Sequence, residues 1–364
     1  MKKIYNYILP VLFTVFAASC DGDDEEVIRM QNQDPVVTVT SVSDAVGYVG
    51  NEFTIYGTNF GIIANDVEVF VGNTKLQLIS CEDEELTVRV PEGTTAGRIS
   101  VVVYGQRVDT QLMYDVLGVP GIRTVIPSYG FVGDEIKFNG HDLGVPSAHY
   151  KVLFSGKEES ATFMAEPEME SFSVKVPEGA QSGEIKLNIT DKPVNVPVAF
   201  TVLKHAALDA VKGEAAGYAT GMASVSGTNL NQAVLDETVV LQPVKAFFTP
   251  KAGGDAVEAE VKTQEDELLD IQIPATLAPG DYTISVTTPF EKIEKTLDFE
   301  ILPNPVLTSI EPLKGYVGAV VTVVAENLGR IDKEDIQMMF GETPATDITI
   351  TGGNTFEVKV PSLT

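Results

Sequence analysis

The stretch Gly47–Gly61, GYVGNEFTIYGTNFG, decides the fold because it returns three more times along the chain. It recurs as GFVGDEIKFNGHDLG, GYATGMASVSGTNLN and GYVGAVVTVVAENLG, and the four stretches start at Gly47, Gly130, Gly217 and Gly315. A second signature follows each one in the same order, as LTVRVP, FSVKVP, LDIQIP and FEVKVP. Two signatures that recur in one order at intervals of 83 to 98 residues indicate tandem copies of one small module.

The residues of these signatures alternate between apolar and polar, which is typical of β-strands with one buried face. The proline that closes the second signature ends its strand, because it cannot donate a ladder hydrogen bond. We therefore expect the inward side chains of the first copy to share one core: Phe53, Ile55, Leu86, Val88 and Val90.

Turn residues separate the strands. Gly47 and Gly50 are predicted to bracket a turn that needs positive φ, and Thr220 replaces the second of these glycines in the third copy. Asn59 lies in the next turn, where it tolerates left-handed geometry. Three residues hold the equivalent position in the other copies: Asp142, Asn229 and Asn327.

The paired signatures resemble the IPT/TIG family of immunoglobulin-like domains. The resemblance rests on the G-(Y/F)-V-G…G-T-N-(F/L)-G run and on V-P-E-G followed by G-x-I, present at Val90–Gly93 and Val176–Gly179. It covers nearly everything after Asp34, and the third copy departs most, with longer loops predicted around Pro243–Gly254. The resemblance implies an all-β fold of tandem immunoglobulin-like (IPT/TIG) β-sandwiches, the last one incomplete.

The copies set the predicted domain boundaries. Residues 1–19 are a lipoprotein signal peptide, and residues 20–34 are the lipidated cysteine with an acidic tether. The four copies then occupy residues 35–118, 119–203, 204–303 and 304–364. In the fourth copy the strands that follow the V-P motif elsewhere are missing from the sequence. A longer parent chain explains this, or a partner supplies the missing strand.

The first residues predict the cellular address. Lys2 and Lys3 precede an apolar segment that is too short to span a bilayer. Ala17-Ala18-Ser19-Cys20 then resembles a bacterial lipobox, which implies a lipid on Cys20; the alternative is an ordinary secretory signal. The acidic run 21–26 resembles the surface-export signal of Bacteroidetes lipoproteins. We therefore expect a lipid-anchored protein of the outer membrane, exposed on the cell surface.

Composition and motifs exclude several function classes. A net charge of −27 repels nucleic acid and anionic headgroups, so neither is expected as a partner. With Cys20 lipidated, Cys81 has no disulfide partner and is expected to be a half-buried packing residue. The chain carries no nucleophile elbow, Walker loop, H-E-x-x-H or C-x-x-C, so we expect no enzyme and no cofactor.

The sequence also offers candidates for metal and sugar sites. His141 is expected in a turn, and the acidic clusters before the V-P strands are expected to be solvated loops, with Ca²⁺ binding as the alternative. The recurring aromatics Tyr48, Phe131, Tyr218 and Tyr316 are predicted to be structural. Aromatics without counterparts are the candidates for stacking on a sugar: Tyr104, Tyr129, Tyr150, Phe247 and Phe248.

Two functions remain open. One is a non-catalytic surface lipoprotein of a polysaccharide-utilisation system, which binds glycan or acts as a spacer. The other is a structural or adhesive stalk that presents a partner or a lost C-terminal domain. Predicted partners are the membrane, through the N-terminal lipid, a polysaccharide, and an outer-membrane protein.

Overall fold

A computed structural model describes residues 35–327, 336–345, 347–352 and 354–362. Cys20 and the acidic run lie outside these residues. The described chain is all-β, and the predicted fold class is confirmed. Two short 3-10 turns, Ala64–Asp66 and Ser147–His149, interrupt the strands. No helix among the described residues has the length and apolar character needed to span a membrane.

The first and third copies have the same strand order. The first contains β1 (Thr38–Val42), β2 (Val46–Tyr48), β3 (Glu52–Thr58), β4 (Val67–Val71), β5 (Thr74–Lys75), β6 (Gln77–Cys81), β7 (Glu85–Arg89), β8 (Gly97–Val103) and β9 (Gln106–Leu117). These strands form the sheets β1-β3-β7-β6 and β2-β9-β8-β4-β5. All neighbours for which a register is defined are antiparallel except β2 and β9, which run parallel.

The second copy divides its strands among three sheets. It contains β10 (Gly121–Ile126), β11 (Tyr129–Phe131), β12 (Glu135–His141), β13 (Tyr150–Leu153), β14 (Ser171–Lys175), β15 (Gly183–Glu184), β16 (Lys186–Ile189), β17 (Lys192–Val194) and β18 (Ala199–Leu203). The sheets are β10-β12-β14, β11-β18-β15 and β13-β16-β17.

The third copy contains β19 (Ala207–Lys212), β20 (Ala216–Tyr218), β21 (Met222–Thr228), β22 (Lys245–Pro250), β23 (Val257–Ala259), β24 (Val261–Gln264), β25 (Leu268–Gln272), β26 (Gly280–Thr287) and β27 (Leu297–Leu302). Its sheets are β19-β21-β25-β24 and β20-β27-β26-β22-β23. The prediction of an extended loop at Val244–Gly254 is therefore wrong. Most of it is β22, which pairs with β23 and β26 on its two sides.

The described part of the fourth copy contains β28 (Val306–Glu311), β29 (Val320–Glu326), β30 (Met339–Phe340), β31 (Thr343–Pro344), β32 (Ile348–Gly352) and β33 (Thr355–Lys359). They form the sheet β28-β29-β33-β32 and the ladder β30-β31. Its core is formed by β29 and β33, through Val321, Val323, Ala325, Phe356 and Val358.

By packing, the chain divides into two compact units. Among the described residues, the first unit holds 35–43, 52–89 and 97–113. The second unit holds 44–51, 90–96 and the described residues from 114 onwards. In the first unit, Phe53 pairs with Val88 and Ile55 with Leu86 across β3 and β7, and all four side chains are buried. Val90, in the second unit, is buried as well. The predicted inward face is confirmed.

One turn prediction is only half right. Gly50 has φ of +89°, as expected for the turn, but Gly47 lies in β2. Gly47 lacks a side chain for another reason: a Cβ there would collide with the Tyr114 hydroxyl. Thr220 takes φ of +70° where the other copies use glycine. Its β-branched side chain therefore adopts a backbone conformation that such residues rarely occupy.

Candidate functional site

Two of the predicted sugar-stacking aromatics are core residues. The ring of Phe248 is fully buried, and Tyr150 is 7% exposed, with its hydroxyl donating to the Leu143 carbonyl. Burial raises the pKa of Tyr150, so this hydroxyl stays protonated. Neither ring has a free face for a ligand, which corrects the prediction for both. Alternation along β22 explains Phe248, because successive side chains of a strand point to opposite faces.

Tyr129 and Phe247 are partly buried. The Tyr129 ring packs edge-on against Phe290 of the third copy, with ring centroids 5.3 Å apart. Phe247 lies opposite Glu258 and Ser285 on the neighbouring strands, on the outer side of its sheet. Each ring therefore has part of its surface open, and sugar binding by these two residues stays a prediction.

Tyr104 is the most open of the five candidates, with 58% of its surface exposed. It occupies a tight hairpin with Gly105 between β8 and β9, and both residues have positive φ, 50° and 80°. Its backbone N–H donates to the Asp66 carbonyl at 2.9 Å. The ring lies against Gly61, where a Cβ would come within 2.7 Å of the Tyr104 hydroxyl. The hairpin thus holds an aromatic ring in a defined, solvent-facing position.

The recurring aromatics make contacts between copies that the sequence did not predict. Tyr48 is 5% exposed and belongs to the core cluster of the second copy. Its hydroxyl donates to the Asp142 carbonyl at 2.6 Å. Burial, and after it the charge of Asp142, raises the pKa of Tyr48, so the donor proton is retained. Tyr218 of the third copy repeats this contact with the Asn327 carbonyl at 3.2 Å.

The carbonyl acceptors belong to the left-handed turn residues that the sequence identified. Asn59, Asp142, Asn229 and Asn327 have φ of 63°, 56°, 56° and 67°, which confirms their turn role. Each side chain also ties the turn to the backbone where its copy begins. The amides of Asn59, Asn229 and Asn327 donate to the carbonyls of Val36, His205 and Asn304, and Asp142 accepts the N–H of Gly118.

The other recurring aromatics behave differently. Phe131 has no hydroxyl and instead stacks on His205, with centroids 4.3 Å apart and planes within 2°. The His205 ring also meets a Glu291 carboxylate oxygen at 2.9 Å. Tyr316, in the fourth copy, is 91% exposed and is therefore not the structural plug that its sequence position predicted.

The His141 ring and the Cys81 thiol each contact a nearby residue. His141 Nδ1 lies 2.9 Å from Asp142 Oδ2. This hydrogen bond is the main cause that holds the pKa of Asp142 below its usual range, and the hydrogen bond from the Gly118 N–H lowers the pKa further. Cys81 is half-buried, as predicted, and its Sγ lies 3.4 Å from the Gly61 carbonyl. Burial raises the pKa of this thiol. Among the described residues, no group of three potential metal ligands is found.

The repeated β-sheets and the contacts between copies define a class of protein: a tandem array of immunoglobulin-like modules. Comparison with known proteins adds that residues 37–116 match the model of the IPT/TIG domain. Fibrocystin-L of Homo sapiens is 28% identical over 127 residues, which are 34% of this chain and 3% of fibrocystin-L.

Two of the solved structures that the comparison found have low identity to this chain and TM-scores below 0.5. One is the plexin A4 extracellular region, with a TM-score of 0.38 and 14% identity over 94% of this chain and 30% of that one. Another is the Bacteroides ovatus mixed-linkage glucan utilisation protein SGBP-B in complex with a heptasaccharide. It has a TM-score of 0.21 and 14% identity over 77% of this chain and 76% of that one. The chain thus spans a small part of fibrocystin-L and under a third of the plexin.

Proposed function

We propose that this chain is a non-catalytic spacer of a polysaccharide-utilisation system, anchored to the outer membrane by a lipid on Cys20 and exposed on the cell surface. The repeated hydroxyl-to-carbonyl contact supports the spacer role. Tyr48 reaches Asp142, and Tyr218 reaches Asn327, so successive copies are joined by specific contacts as well as by the chain. Contacts of this kind restrict the relative motion that a flexible linker would allow.

The address is tested by replacing the lipobox cysteine. Cys20→Ala is expected to abolish incorporation of labelled fatty acid and to release the protein from the membrane fraction, because no thiol remains at the acylation position. The matched control is Cys81→Ala, which removes the other cysteine and should leave labelling unchanged. Labelling that survives in Cys20→Ala contradicts the anchor. Deleting residues 21–26 should keep the lipid but reduce protease shaving of whole cells.

Glycan binding is the second candidate function, and the geometry of Tyr104 favours it. Three Tyr side chains are exposed among the described residues, and no described Phe side chain is: Tyr56, Tyr104 and Tyr316. Of these three, Tyr104 is the one in a tight hairpin with positive φ, and its neighbour Gly61 leaves room for its ring. Loops displayed on a rigid scaffold are frequent recognition sites.

This candidate is tested by affinity electrophoresis against plant, host and microbial polysaccharides. If the chain binds glycan through this ring, Tyr104→Ala should lose at least about half of the retardation, because stacking contacts of this kind contribute roughly 1 kcal/mol. Tyr316→Ala, which removes a more exposed ring in another copy, should leave retardation unchanged. If no polysaccharide retards the chain, the glycan-binding function is contradicted and only the spacer role remains.

A further inference from the structure

A cavity of about 450 Å³ lies beside Tyr48 within the second compact unit. Three segments line it: residues 48–49, the linker 117–120, and the β16–β17 hairpin through residues 189–190 and 192–194. Most of its lining is apolar: Val49, Leu117, Val119, Pro120, Ile189, Pro193 and Val194. This volume is within the range of small-molecule sites, roughly 300–1,000 Å³, and such sites are mostly apolar with a few polar groups.

The charge of the cavity differs from that of the chain. The sequence has 52 acidic and 25 basic residues, yet the lining includes no carboxylate and one cation, Lys192. The ammonium of Lys192 donates to the Val49 carbonyl at 3.3 Å, a long contact that uses one of its three N–H donors. The hydroxyl of Tyr48 is already donated to Asp142.

Thr190, which also lines this cavity, is unusual in its hydrogen bonding and in its backbone conformation. Its Oγ1 is the one buried side-chain polar atom without a hydrogen-bond partner in the described part of the chain. Its φ is +49°, followed by +62° at Asp191, so the hairpin turn places a β-branched residue in left-handed geometry. Unpartnered buried groups are rare in folded proteins, and backbone strain clusters at functional sites.

We propose that this cavity binds a small molecule with an apolar body and a carboxylate head. The apolar walls take the body, and Lys192 supplies N–H donors to the carboxylate. In the free chain the Thr190 Oγ1 is closed to solvent. The side chain must therefore turn about the Cα–Cβ bond before its hydroxyl can donate to the same head group. The ligand contacts both the Tyr48–Val49 segment and the second copy, so its binding stabilises their contact. This site goes beyond the spacer role.

Octanoate is the probe, titrated into the full chain by isothermal calorimetry with 1-octanol as the uncharged counterpart. We expect saturable one-to-one binding of octanoate. Lys192→Met should weaken octanoate roughly tenfold while leaving octanol unchanged, because it removes the cation and retains the apolar stem. Thr190→Val should weaken octanoate by roughly five- to tenfold. Val119→Trp should abolish binding, and the fold tolerates it because Val119 is 83% exposed.

Thermal melting separates a ligand site from a merely structural hydroxyl. Thr190→Val should raise the melting temperature of the free chain, since it removes a buried group without a partner. Thr110→Val is the matched control, because the Thr110 hydroxyl donates to the Ile99 carbonyl at 2.7 Å, and it should lower the melting temperature. The proposal is overturned if octanoate shows no saturable binding at millimolar concentration. It is also overturned if Lys192→Met and Thr190→Val both bind octanoate as well as the unaltered chain does.

Discussion

Gly140→Ala is expected to lower the free energy of unfolding of the second copy by about 3 kcal/mol, the upper part of the range for overpacking. A Cβ at Gly140 would collide with the Gly121 carbonyl on the paired strand β10 and would come within 3.1 Å of Leu143 Cδ1. The backbone oxygen cannot move without breaking the β10–β12 ladder, whose register shifts near this point. Gly57 and Gly227 are in the same situation, against the carbonyls of Thr38 and Ala207.

Differential scanning calorimetry of the full chain measures this loss. The control is Gly179→Ala, in the same copy, where φ is +75° and the nearest heavy atom to a Cβ is Lys157 Nζ at 3.9 Å. It should cost only about 1 kcal/mol, from backbone conformation alone. Equal losses in the two variants would show that the collision at Gly140 is relieved at no cost. Gly140 also precedes the turn at Asp142, so we expect the contact of Tyr48 to weaken with it.

Tyr48→Ala is expected to destabilise the second copy by about 3 kcal/mol, because truncating a buried aromatic leaves a cavity. Although Tyr48 belongs to the first copy in sequence, its ring is 5% exposed in the core cluster that contains Leu143 and Phe138. The loss should therefore be found in the calorimetric transition of the second copy and not only in that of the first.

Two further variants divide this loss into its parts. Tyr48→Phe keeps the ring and removes the hydroxyl, so it should cost about 1 kcal/mol for the lost hydrogen bond to Asp142. Tyr316→Ala removes the equivalent residue of the fourth copy, which is 91% exposed, and should change stability little. If Tyr48→Ala and Tyr316→Ala cost the same, the contact between copies contributes no stability.

Local rules explain why much of the fold could be predicted from the sequence. Alternation along EFTIYG and LTVRVP predicted the buried faces of β3 and β7, because side chains of a strand alternate with a period of two. Asn59 and its equivalents were predicted to be left-handed because short polar side chains tolerate that conformation. These properties depend on a few neighbouring residues, so the repeated pattern was sufficient to identify them.

The candidate site depended on pairing between distant residues. Phe247 and Phe248 have similar sequence surroundings, but only the register of β22 determined that Phe248 is buried and Phe247 half-open. Gly47 resembles a turn glycine, yet the constraint on it is Tyr114, 67 positions away in the sequence.

The sequence by itself determined the repeat, the strand faces and the left-handed turns of this protein. Only the tertiary structure decided that Tyr48 contacts the next copy, that the Thr190 Oγ1 lacks a hydrogen-bond partner, and that both residues line a cavity with one cation, Lys192. The physical reason is distance along the chain. Periodicity and turn preference act over a few residues, whereas a hydrogen bond or a cavity depends on which distant surfaces the packed sheets bring together.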